Sequence, residues 1–494
     1  MIKHLNKGAV HPALQWHKPP APPIQQLPLP DTLRLPLPQG IVADNLLVSS
    51  GSQVLRGQPM TISSDLLVPL VHASSSGVVS NIDATHIEIK TDGMDNSVPP
   101  AQPLPRQGRE QLIQAAHNAG LTGQGGAGFP VAAKLQSLAD NAALLLVNAA
   151  ECDPRIHCDD ALIQQQAPAM VEAMVMIAGC CAIDKICIGI ESNQQLAIDA
   201  LQNVLQQRES STPAIQLVVV PDQYPSGAER TLLKLCTGRT HDQPHPLSES
   251  GVLSMNIATC YAVGQVISTG LPCTQRVTTV ITPDQKITNV LLRTGTSLEY
   301  LLHATTNGNI PRPTLEITVG GQMMPTPATP GDVVTQSSNC VMFSSKALHN
   351  NSTHACIRCG LCADVCPEAL MPQQLHRFAL HFDQAQLGHY HIERCIECRC
   401  CDVVCPSRIP LAQQFHAVKQ RINHSATLDA NAELARIRYE KRQQRLTTKA
   451  PRKKLRTKPQ PNPATTAAAD ARKALIEAAL ARSRQKNNHS DNSS

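Results

Sequence analysis

The spacing of apolar positions changes along the chain, and the changes indicate separate domains. Between residues 31 and 100, short apolar runs such as Leu46–Val48 and His86–Lys90 alternate with Gly and Ser turns, which predicts a small all-β module. The run Gly40–Ala43 belongs to the same pattern. Residues 1–30 are rich in proline and polar residues, so we expect an arm along a surface rather than a domain.

From Gly108 onwards the pattern becomes that of an α/β domain, in which strands alternate with helices. The predicted strands are Leu144–Val147, Lys185–Ile190 and Ile215–Val220. The predicted helices are Arg109–Ala119, Val131–Ala139, Asp160–Ala178 and Gln194–Gln207. This alternation predicts a mostly parallel sheet with helices on both of its faces.

Composition and charge exclude several classes of protein. Aromatic residues make up only 2% of the chain, which argues against a protein that binds nucleic acid by stacking bases. No uninterrupted apolar window reaches about 18 residues, so we expect no membrane-spanning helix. From Ser425 to Ser494, 16 Lys and Arg stand against 6 Asp and Glu, whereas the whole chain carries a charge of +5. This basic tail is predicted to be disordered or a solvated helix, with a membrane surface as one candidate partner.

Eight of the 18 cysteines form two runs with the spacing C-x₂-C-x₂-C-x₃-C-P, Cys356–Pro367 and Cys395–Pro406. This spacing is typical of [4Fe–4S] clusters, and the fourth cysteine of each run binds the cluster of the other run in two-cluster ferredoxins. The expected ligands are Cys356, Cys359, Cys362 and Cys405 for one cluster, and Cys366, Cys395, Cys398 and Cys401 for the other. A zinc site is the alternative, although zinc sites usually pair two C-x₂-C knuckles across a longer gap.

The residues around the cysteine runs support an iron–sulfur module. Cys400 belongs to neither set and is expected to be a packed thiol beside a cluster. The linker between the runs is long enough for a helical hairpin such as Pro372–Leu387, so we expect an α-helical ferredoxin module. His389 and His391 lie in this linker and are expected to be exposed. Reduced thiols and the absence of a secretion signal at the amino terminus predict a reducing cytosol.

A glycine-rich loop and three polar loops contain the candidate binding residues of the α/β domain. The loop Gly120–Pro130 has a G-x-G-x-x-G pattern at Gly123, Gly125 and Gly128, but it follows a helix, unlike a dinucleotide-binding fingerprint. It is either an anion cradle made of backbone N–H groups or a tight structural turn. The polar loops are Asn148–Pro154, Tyr224–Arg230 and Asn256–Thr259. Because the carboxyl ends of parallel strands meet at one sheet edge, we expect a ligand site there.

These four loops, in this order and followed by the two cysteine runs, resemble the RnfC subunit of the Rnf (also called Rsx) electron transport complex. That subunit is itself similar to the NADH- and FMN-binding flavoprotein subunit of respiratory complex I. The resemblance implies non-covalent FMN, NADH oxidation, and reversible electron transfer from the flavin to two [4Fe–4S] clusters. It also implies a peripheral location on the cytoplasmic face of the bacterial inner membrane, bound to the other subunits of a membrane-embedded, ion-translocating complex.

The resemblance assigns roles to individual residues. Those expected at the phosphate and ribityl chain of FMN are Gly123, Gln124, Gly125, Gly126 and Gly128. Those expected to hold the flavin by charge or hydrogen bonds are Lys134, Asn148, Glu151, Asn256 and Thr259. Those expected to contact NADH are Phe129, by stacking, and the carboxylates of Asp153 and Glu229. Asp153 stands where the family usually has Glu, and Ala228 where it usually has Gly, so the departures concern NADH rather than the flavin.

Together these features predict a multidomain α/β protein. Its predicted segments are a Pro-rich arm (1–30), a barrel-sandwich-like β module of lipoyl or biotinyl type (31–100), a Rossmann-like FMN/NADH domain (101–282), a β-grasp module (283–344), an α-helical ferredoxin domain with two 4Fe-4S clusters (345–422) and a disordered, basic, Ala-rich tail (423–494). Two other functions remain open at this stage. One is a flavin-free iron–sulfur relay or docking adaptor between redox partners, and the other is a zinc-stabilised scaffold.

Overall fold

The computed structural model describes residues 18–100, 108–209, 212–241, 245–306, 315–345, 353–448 and 463–487. The first 17 residues of the predicted arm and the Lys-, Arg- and Pro-rich stretch 449–462 lie outside the described residues. The chain divides into two compact units, Met1–Gln420 and Arg421–Ser494. The first unit contains all of the predicted site residues.

The first unit begins with a short strand, β1 (Ile24–Gln26), and an antiparallel sheet of four strands in the order β2-β5-β4-β3. The strands of this sheet are β2 (Thr32–Pro36), β3 (Gln53–Val54), β4 (Gly77–Ile82) and β5 (His86–Thr91). Apolar and polar residues alternate along β5, so that Ile87 and Ile89 are fully buried in the core of the module. The prediction of an all-β module is therefore confirmed.

Two runs assigned to this module are not strands. Leu46–Val48 contributes only an isolated bridge, between Leu46 and Thr61. The other run is Gly40–Ala43. Gly40 has a positive φ of 94°, and the chain continues into a short 3₁₀ helix, Ala43–Asn45. The Asn45 side chain closes this turn because its Oδ1 accepts a hydrogen bond from the Val42 N–H at 3.0 Å. Local turn chemistry thus outweighs the strand preference of the β-branched residues in Gly40–Ala43.

The α/β domain contains a parallel sheet of four strands in the order β8-β7-β6-β9. The strands are β6 (Leu144–Ala149), β7 (Lys185–Glu191), β8 (Ala214–Val220) and β9 (Val252–Asn256). The helices are α1 (Arg109–Asn118), α2 (Val131–Gln136), α3 (Cys158–Cys180), α4 (Gln195–Gln206), α5 (Glu229–Thr237) and α6 (Ile257–Thr269). Leu145 packs with the core under α3 and α6, and Leu146 with the core under α5. Both faces of the sheet are covered, as predicted.

Strand β9 was not predicted from the sequence, and its pairing with β6 positions two of the predicted site residues. It is only five residues long, and the polar Ser254 interrupts its apolar run, so the sequence gives a weak strand signal. It pairs in parallel with β6, and this register makes Asn256 the direct partner of Asn148. The register therefore brings two polar loops to adjacent positions at the carboxyl edge of the sheet.

A third sheet is mixed and has six strands in the order β1-β11-β10-β14-β12-β13. In addition to β1 it contains β10 (Gln275–Ile281), β11 (Ile287–Arg293), β12 (Leu315–Val319), β13 (Thr326–Ala328) and β14 (Cys340–Ser345). Helix α7 (Leu298–Thr306) packs on its core. The sheet thus takes in β1 and β10, which lie outside residues 283–344.

The cysteine-rich region is helical, as predicted. It contains α8 (Leu361–Asp364), α9 (Pro372–His381), α10 (Gln384–His389), α11 (Cys400–Val403) and the beginning of α12 (Leu411–Thr448). Helices α9 and α10 form the expected hairpin between the two cysteine runs. The turn between them contains Phe382, at a φ of 50°, and Asp383, whose side chain accepts a hydrogen bond from the Gln386 N–H at 3.1 Å.

The second unit contains the remainder of α12 and the helix α13 (Pro463–Asn487). Its described side chains include the exposed apolar residues Leu434 and Leu475. Of the two alternatives for the tail, disorder or solvated helix, the described residues form helix. Within the described parts of the chain, no helix is both long and apolar enough to cross a membrane.

Candidate functional site

A cavity opens at the carboxyl edge of the parallel sheet, where the glycine-rich loop meets the ends of two strands. Its volume is ≈ 730 Å³, including space open to solvent. The residues that line it are Gly123, Gly125, Ala127, Phe129, Val131, Lys134, Leu135, Asn148, Glu229, Leu253, Ser254, Met255, Asn256 and Thr259. Eight of the predicted flavin and NADH residues are among them. A cleft of this kind is where open α/β sheets bind ligands.

Hydrogen bonds close the glycine-rich loop into a hairpin, with an isolated bridge between Thr122 and Pro130. The Gly123 N–H donates to the Phe129 carbonyl oxygen at 2.8 Å, and the Gln124 N–H donates to Thr259 Oγ1 at 2.8 Å. A Cβ atom on Gly125 would stand 3.2 Å from the Cβ of Asn256, tighter than ordinary van der Waals contact. A side chain at this position would therefore take up space in the cavity.

Two opposite charges face each other at the cavity. Lys134 Nζ lies 3.2 Å from Glu229 Oε1, and their side chains are 33% and 42% exposed. Phe129 lies on the same cavity and is half exposed. The cavity thus offers a cation, a carboxylate and an aromatic ring to a ligand.

The amide side chains on the cavity already have protein partners. Asn148 Nδ2 donates to the Gly227 carbonyl oxygen at 2.8 Å. Asn256 caps α6 by accepting the Thr259 N–H at 3.1 Å, and its Nδ2 donates to Asp159 Oδ2 at 2.5 Å. These contacts fix the orientation of both amides.

Five predicted residues do not line the cavity. Cβ atoms on Gly126 and Gly128 would face Asn339 and Ser337 of a neighbouring loop, and Gln124 Nε2 donates to Cys273 Sγ at 3.3 Å. Two predicted residues are buried carboxylates, Glu151 and Asp153. The side chains of Glu151 and Asp153 form hydrogen bonds with other parts of the protein, outside the lining of the cavity.

The Asp153 side chain contacts the loop between β12 and β13 of the mixed sheet and does not line the cavity. Its Oδ2 accepts the Met323 N–H at 2.8 Å, and its Oδ1 accepts the Arg155 N–H at 3.2 Å. Burial raises the pKa of this carboxyl, although the backbone N–H groups act in the opposite direction. The side chain is thus a structural link between the polar loop after β6 and the loop before β13.

Glu151 belongs to a buried group of charges behind the cavity. Its Oε2 lies 3.2 Å from Lys18 Nζ, and its Oε1 accepts the Asp159 N–H at 2.9 Å. Burial opposes ionisation of Glu151, but the charges of Lys18 and His157 and the Asp159 N–H lower its pKa. Burial and the charge of Glu151 raise the pKa of Asp159 to about 6. Burial also raises the pKa of Glu191 to about 7.

Sequence reasoning missed Lys18, Asp159 and Glu191. Lys18 lies 133 residues before Glu151, in the Pro-rich arm, where no pattern marks a buried cation. Asp159 lies in the first turn of α3, where acidic residues are common because they interact favourably with the helix dipole, so its sequence position did not indicate a role in the site. Glu191 could have been found from the sequence, because it is the last residue of β7 and ligand sites lie at the carboxyl ends of parallel strands.

The eight predicted cluster cysteines surround two pockets. One pocket is lined by Cys356, Cys359, Cys362 and Cys405, and the other by Cys366, Cys395, Cys398 and Cys401. Each pocket joins three cysteines of one run to the fourth cysteine of the other. None of the 18 cysteines, all of them in described residues, forms a disulfide. Four thiols around one pocket are the donor set that a [4Fe–4S] cluster requires.

The surroundings of the two pockets differ. Cys356 and Cys359 are exposed, whereas Cys398 and Cys401 are buried. Cys400, only 1% exposed, also lines the second pocket. The linker residues His389 and His391 are exposed and line neither pocket.

The second pocket packs directly against the α/β domain. Tyr224, from one of the polar loops, is buried in one cluster with Cys398 and Cys400, and the half-buried Cys152, from another polar loop, packs against this cluster. Arg230, next to Glu229 of the cavity, lies 3.7 Å from Glu368, two residues after Cys366. The polar loops that carry Asn148 and Glu229 therefore extend from the cavity to the second cysteine pocket.

Three family descriptions match separate parts of the chain. They are the RnfC barrel sandwich hybrid domain over residues 4–98, the Nuo51 FMN-binding domain over residues 116–265 and the 4Fe-4S dicluster domain over residues 355–409. The chain thus contains an FMN-binding domain and a 4Fe-4S dicluster domain. These matches coincide with the three regions that contain the β module, the cavity and the cysteine pockets.

Curated relatives are named as the C subunit of an ion-translocating oxidoreductase complex. The proteins from Erwinia tasmaniensis and Edwardsiella ictaluri are each 37% identical over 89% of this chain and 56% of their own length. The protein from Haemophilus influenzae strain PittEE is 35% identical over 89% of this chain and 69% of its own length. The chain therefore spans little more than half the length of the first two relatives. An NAD⁺-reducing [NiFe]-hydrogenase structure is 20% identical over 59% of this chain and 52% of its own, with a TM-score of 0.40, too low to infer a shared fold.

Proposed function

Because the chain belongs to the family formed by the C subunits of ion-translocating oxidoreductase complexes, we propose that it is the NADH-oxidising electron-transfer subunit of such a complex. It passes electrons from NADH by way of non-covalent FMN to two [4Fe–4S] clusters, in a direction that can reverse. It is peripheral at the cytoplasmic face of the bacterial inner membrane, and its partners are the other subunits of the complex. When bound, FMN exchanges two electrons with a nicotinamide and single electrons with iron–sulfur clusters.

In this proposal the cavity residues bind and orient the two ligands. The glycine-rich loop presents backbone N–H groups to the FMN phosphate, and Lys134 adds a positive charge. Phe129 stacks on a ring of NADH, and Glu229 accepts hydrogen bonds from its hydroxyl groups. The fixed amides of Asn148 and Asn256 shape the flavin end of the cavity. Glu151 supports the cavity wall through Asp159 and Asn256, and Asp153 links the polar loop after β6 to the loop before β13.

The eight cysteines around the two pockets are the proposed cluster ligands. One set is Cys356, Cys359, Cys362 and Cys405, and the other is Cys366, Cys395, Cys398 and Cys401. Two cysteines of the second set, Cys398 and Cys401, are buried, and solvent exposure is a recognised influence on cluster potential. The exposed Cys356 and Cys359 leave the first set accessible to a partner protein.

One observation supports this function above all others. The cavity and the second cysteine pocket share the same two loops, because Tyr224 and Cys152 pack against Cys398 and Cys400. A flavin site and a cluster site that meet across buried side chains suit electron transfer from one to the other. Independent binding modules would not need this contact.

The test is the cofactor content of the protein and its response to NADH. Full-length protein purified without oxygen is expected to contain FMN, iron and acid-labile sulfide, with about eight iron atoms per chain for two clusters. Addition of NADH should bleach the flavin absorbance. Protein that contains no flavin, or a flavin that NADH leaves oxidised, would contradict the proposal.

A second candidate function is a flavin-free iron–sulfur relay or docking adaptor. It is favoured by the engagement of Asn148, Asn256 and Asp153 with protein partners, which leaves fewer free donors and acceptors for a flavin. Normal iron and sulfide with no FMN retained after reconstitution would support it. Zinc in place of iron and sulfide would support a scaffold instead.

A further inference from the structure

The Pro-rich arm contains a buried cation, Lys18, which contacts the buried carboxylate of Glu151. Lys18 is only 7% exposed, and its Nζ lies 2.9 Å from the carbonyl oxygen of Glu151 and 3.2 Å from Oε2 of the same residue. The arm is held by the pairing of β1 with β11, where Ile24 is the partner of Asn289. Asn289 Nδ2 also donates to the Pro22 carbonyl oxygen at 2.8 Å. Strand pairing thus fixes the segment that carries Lys18.

A continuous series of contacts leads from Lys18 to the cavity. Glu151, the partner of Lys18, accepts the Asp159 N–H at 2.9 Å through Oε1. Asp159 Oδ2 in turn accepts a hydrogen bond from Asn256 Nδ2 at 2.5 Å. Asn256 lines the cavity and faces Gly125 of the glycine-rich loop. Lys18 is therefore connected to the cavity wall through two carboxylates.

Lys18 also compensates several carboxylates that are buried together. Its charge acts on Glu151, Glu191 and Asp160, while Arg276 acts on Asp159. Buried charges are costly unless they are paired, and removal of one partner leaves an uncompensated charge. Without Lys18, this group of carboxylates would place excess negative charge beside the cavity.

We propose that Lys18 is a positioning residue of the flavin site, which compensates Glu151 and thereby fixes Asp159 and Asn256 at the cavity wall. This inference rests on the proposed function, because it concerns bound FMN. It makes the described part of the amino-terminal arm, residues 18–30, a part of the redox site. Negative charge next to a flavin opposes the addition of electrons, so the loss of Lys18 lowers the flavin midpoint potential.

The test uses the full-length protein and a double-mutant cycle. The variants are Lys18→Met, Lys18→Arg, Glu151→Gln and the double variant Lys18→Met/Glu151→Gln. Lys185→Met is the matched control, since Lys185 is exposed at the amino end of β7. The measurements are the Kd of FMN for the flavin-free protein, by fluorescence, and the midpoint potential of the bound flavin, by spectroelectrochemistry. Circular dichroism checks that each variant is folded.

Lys18→Met is expected to bind FMN more weakly and to lower the midpoint potential, and Lys18→Arg is expected to restore both values. Glu151→Gln removes a negative charge and is expected to raise the potential. The double variant removes one charge of each sign, so its potential is expected to return towards that of the wild type. Two opposite shifts that cancel in the double variant indicate that the charges of the two side chains, rather than their packing, set the potential. Lys185→Met is expected to change neither quantity.

A folded Lys18→Met protein with the Kd and potential of the wild type would overturn the inference and leave the proposed function intact. A double variant shifted as far as Lys18→Met would also overturn it, because packing rather than charge would then be responsible. Should Lys18→Met fail to fold, Glu151→Gln decides, and an unchanged potential in that variant overturns the inference. Wild-type protein that binds no FMN would overturn the proposed function and this inference together.

Discussion

Lys134 Nζ and Glu229 Oε1 lie 3.2 Å apart across the cavity, although the two residues are separated by 95 positions in the sequence. Lys134 is in α2, behind the glycine-rich loop, and Glu229 is the first residue of α5. Both side chains are partly exposed, and ion pairs of this kind add only about 0–1 kcal/mol to stability. Substitutions at these positions should therefore affect ligand binding more than folding.

Lys134→Met is expected to weaken FMN binding. The substitution removes the positive charge that the proposal places near the flavin phosphate, and a hydrogen bond to a charged group contributes about 1.5–3 kcal/mol. The Kd of FMN for the flavin-free protein should rise by about tenfold or more. Lys185→Met, at the opposite end of the sheet, serves as the control. Equal affinities in both variants would show that Lys134 does not contact the cofactor.

Glu229→Gln is expected to affect NADH and not FMN. The Asp153 carboxylate accepts a hydrogen bond from the Met323 N–H and does not line the cavity. Glu229 does line the cavity, so its carboxylate is the one placed to bind the hydroxyl groups of NADH. The substitution should raise the KM for NADH by about tenfold, since hydrogen bonds to charged groups contribute about 1.5–3 kcal/mol. The FMN content of the purified variant should remain that of the wild type. Loss of FMN would instead assign Glu229 to the flavin.

Gly125→Ala is expected to reduce the FMN content of the purified protein. A Cβ at this position would stand 3.2 Å from the Cβ of Asn256 and would protrude into the cavity. Gly179→Ala is the matched control because Gly179, in α3, has no neighbouring atom within 4 Å of such a Cβ. Flavin absorbance of the two variants, relative to protein, measures the difference. Full occupancy in Gly125→Ala would mean that FMN does not approach this part of the loop.

The sequence predicted those features that depend on local pattern. Alternation of helices and strands predicted the parallel sheet, and parallel strands necessarily bring their carboxyl ends to one edge. For this reason Asn148 and Glu229, from different loops, were correctly expected near one another. Cysteine spacing likewise predicted which thiols surround each pocket, because a fixed spacing limits how a short loop can wrap.

Features that depend on non-local partners could not be predicted. The position of Lys18 results from the pairing of β1 with β11, and no local pattern specifies which strand a three-residue segment joins. The direction of Asp153 is decided by the Met323 N–H, 170 residues away. Charged side chains in loops can face either a ligand or a neighbouring domain, and only tertiary packing decides between these environments.

Adjacent cysteines provide a direct test of the cluster ligands. Cys401→Ala is expected to lose one cluster, so that iron falls from about eight to about four atoms per chain. Cys400→Ala should retain its iron, because Cys400 is the additional thiol of the second pocket and packs in a buried cluster with Tyr224 and Met323. Iron and sulfide analysis of protein prepared without oxygen measures both. Loss of iron in Cys400→Ala with retention in Cys401→Ala would exchange the roles of the two residues.

The acid stability of the protein is expected to depend on His157. This residue is fully buried, and within the described residues neither of its ring nitrogens has a hydrogen-bond partner. Burial, together with the charges of Lys18 and Arg155, lowers its pKa to about 4, although Glu151 acts in the opposite direction. Below the unfolded-state pKa of about 6.5, the unfolded chain binds a proton that the folded protein does not. The contribution of His157 to stability is therefore complete above that pH and is lost progressively as pH falls towards 4.

His157→Leu keeps a similar side-chain volume and removes this titration. At about 1.4 kcal/mol per pKa unit, the pH-dependent loss attributable to His157 amounts to about 3 kcal/mol between pH 6.5 and 4. Asp159 and Glu191, whose pKa values are raised, gain protons on folding and change stability in the opposite direction over an overlapping range. The measurement is thus the difference in urea midpoint between variant and wild type at each pH, with His389→Leu, at an exposed position, as the control. The urea midpoint of the variant should rise relative to that of the wild type as pH falls. If the two midpoints instead change in parallel with pH, His157 is protonated in the folded protein as readily as in the unfolded chain.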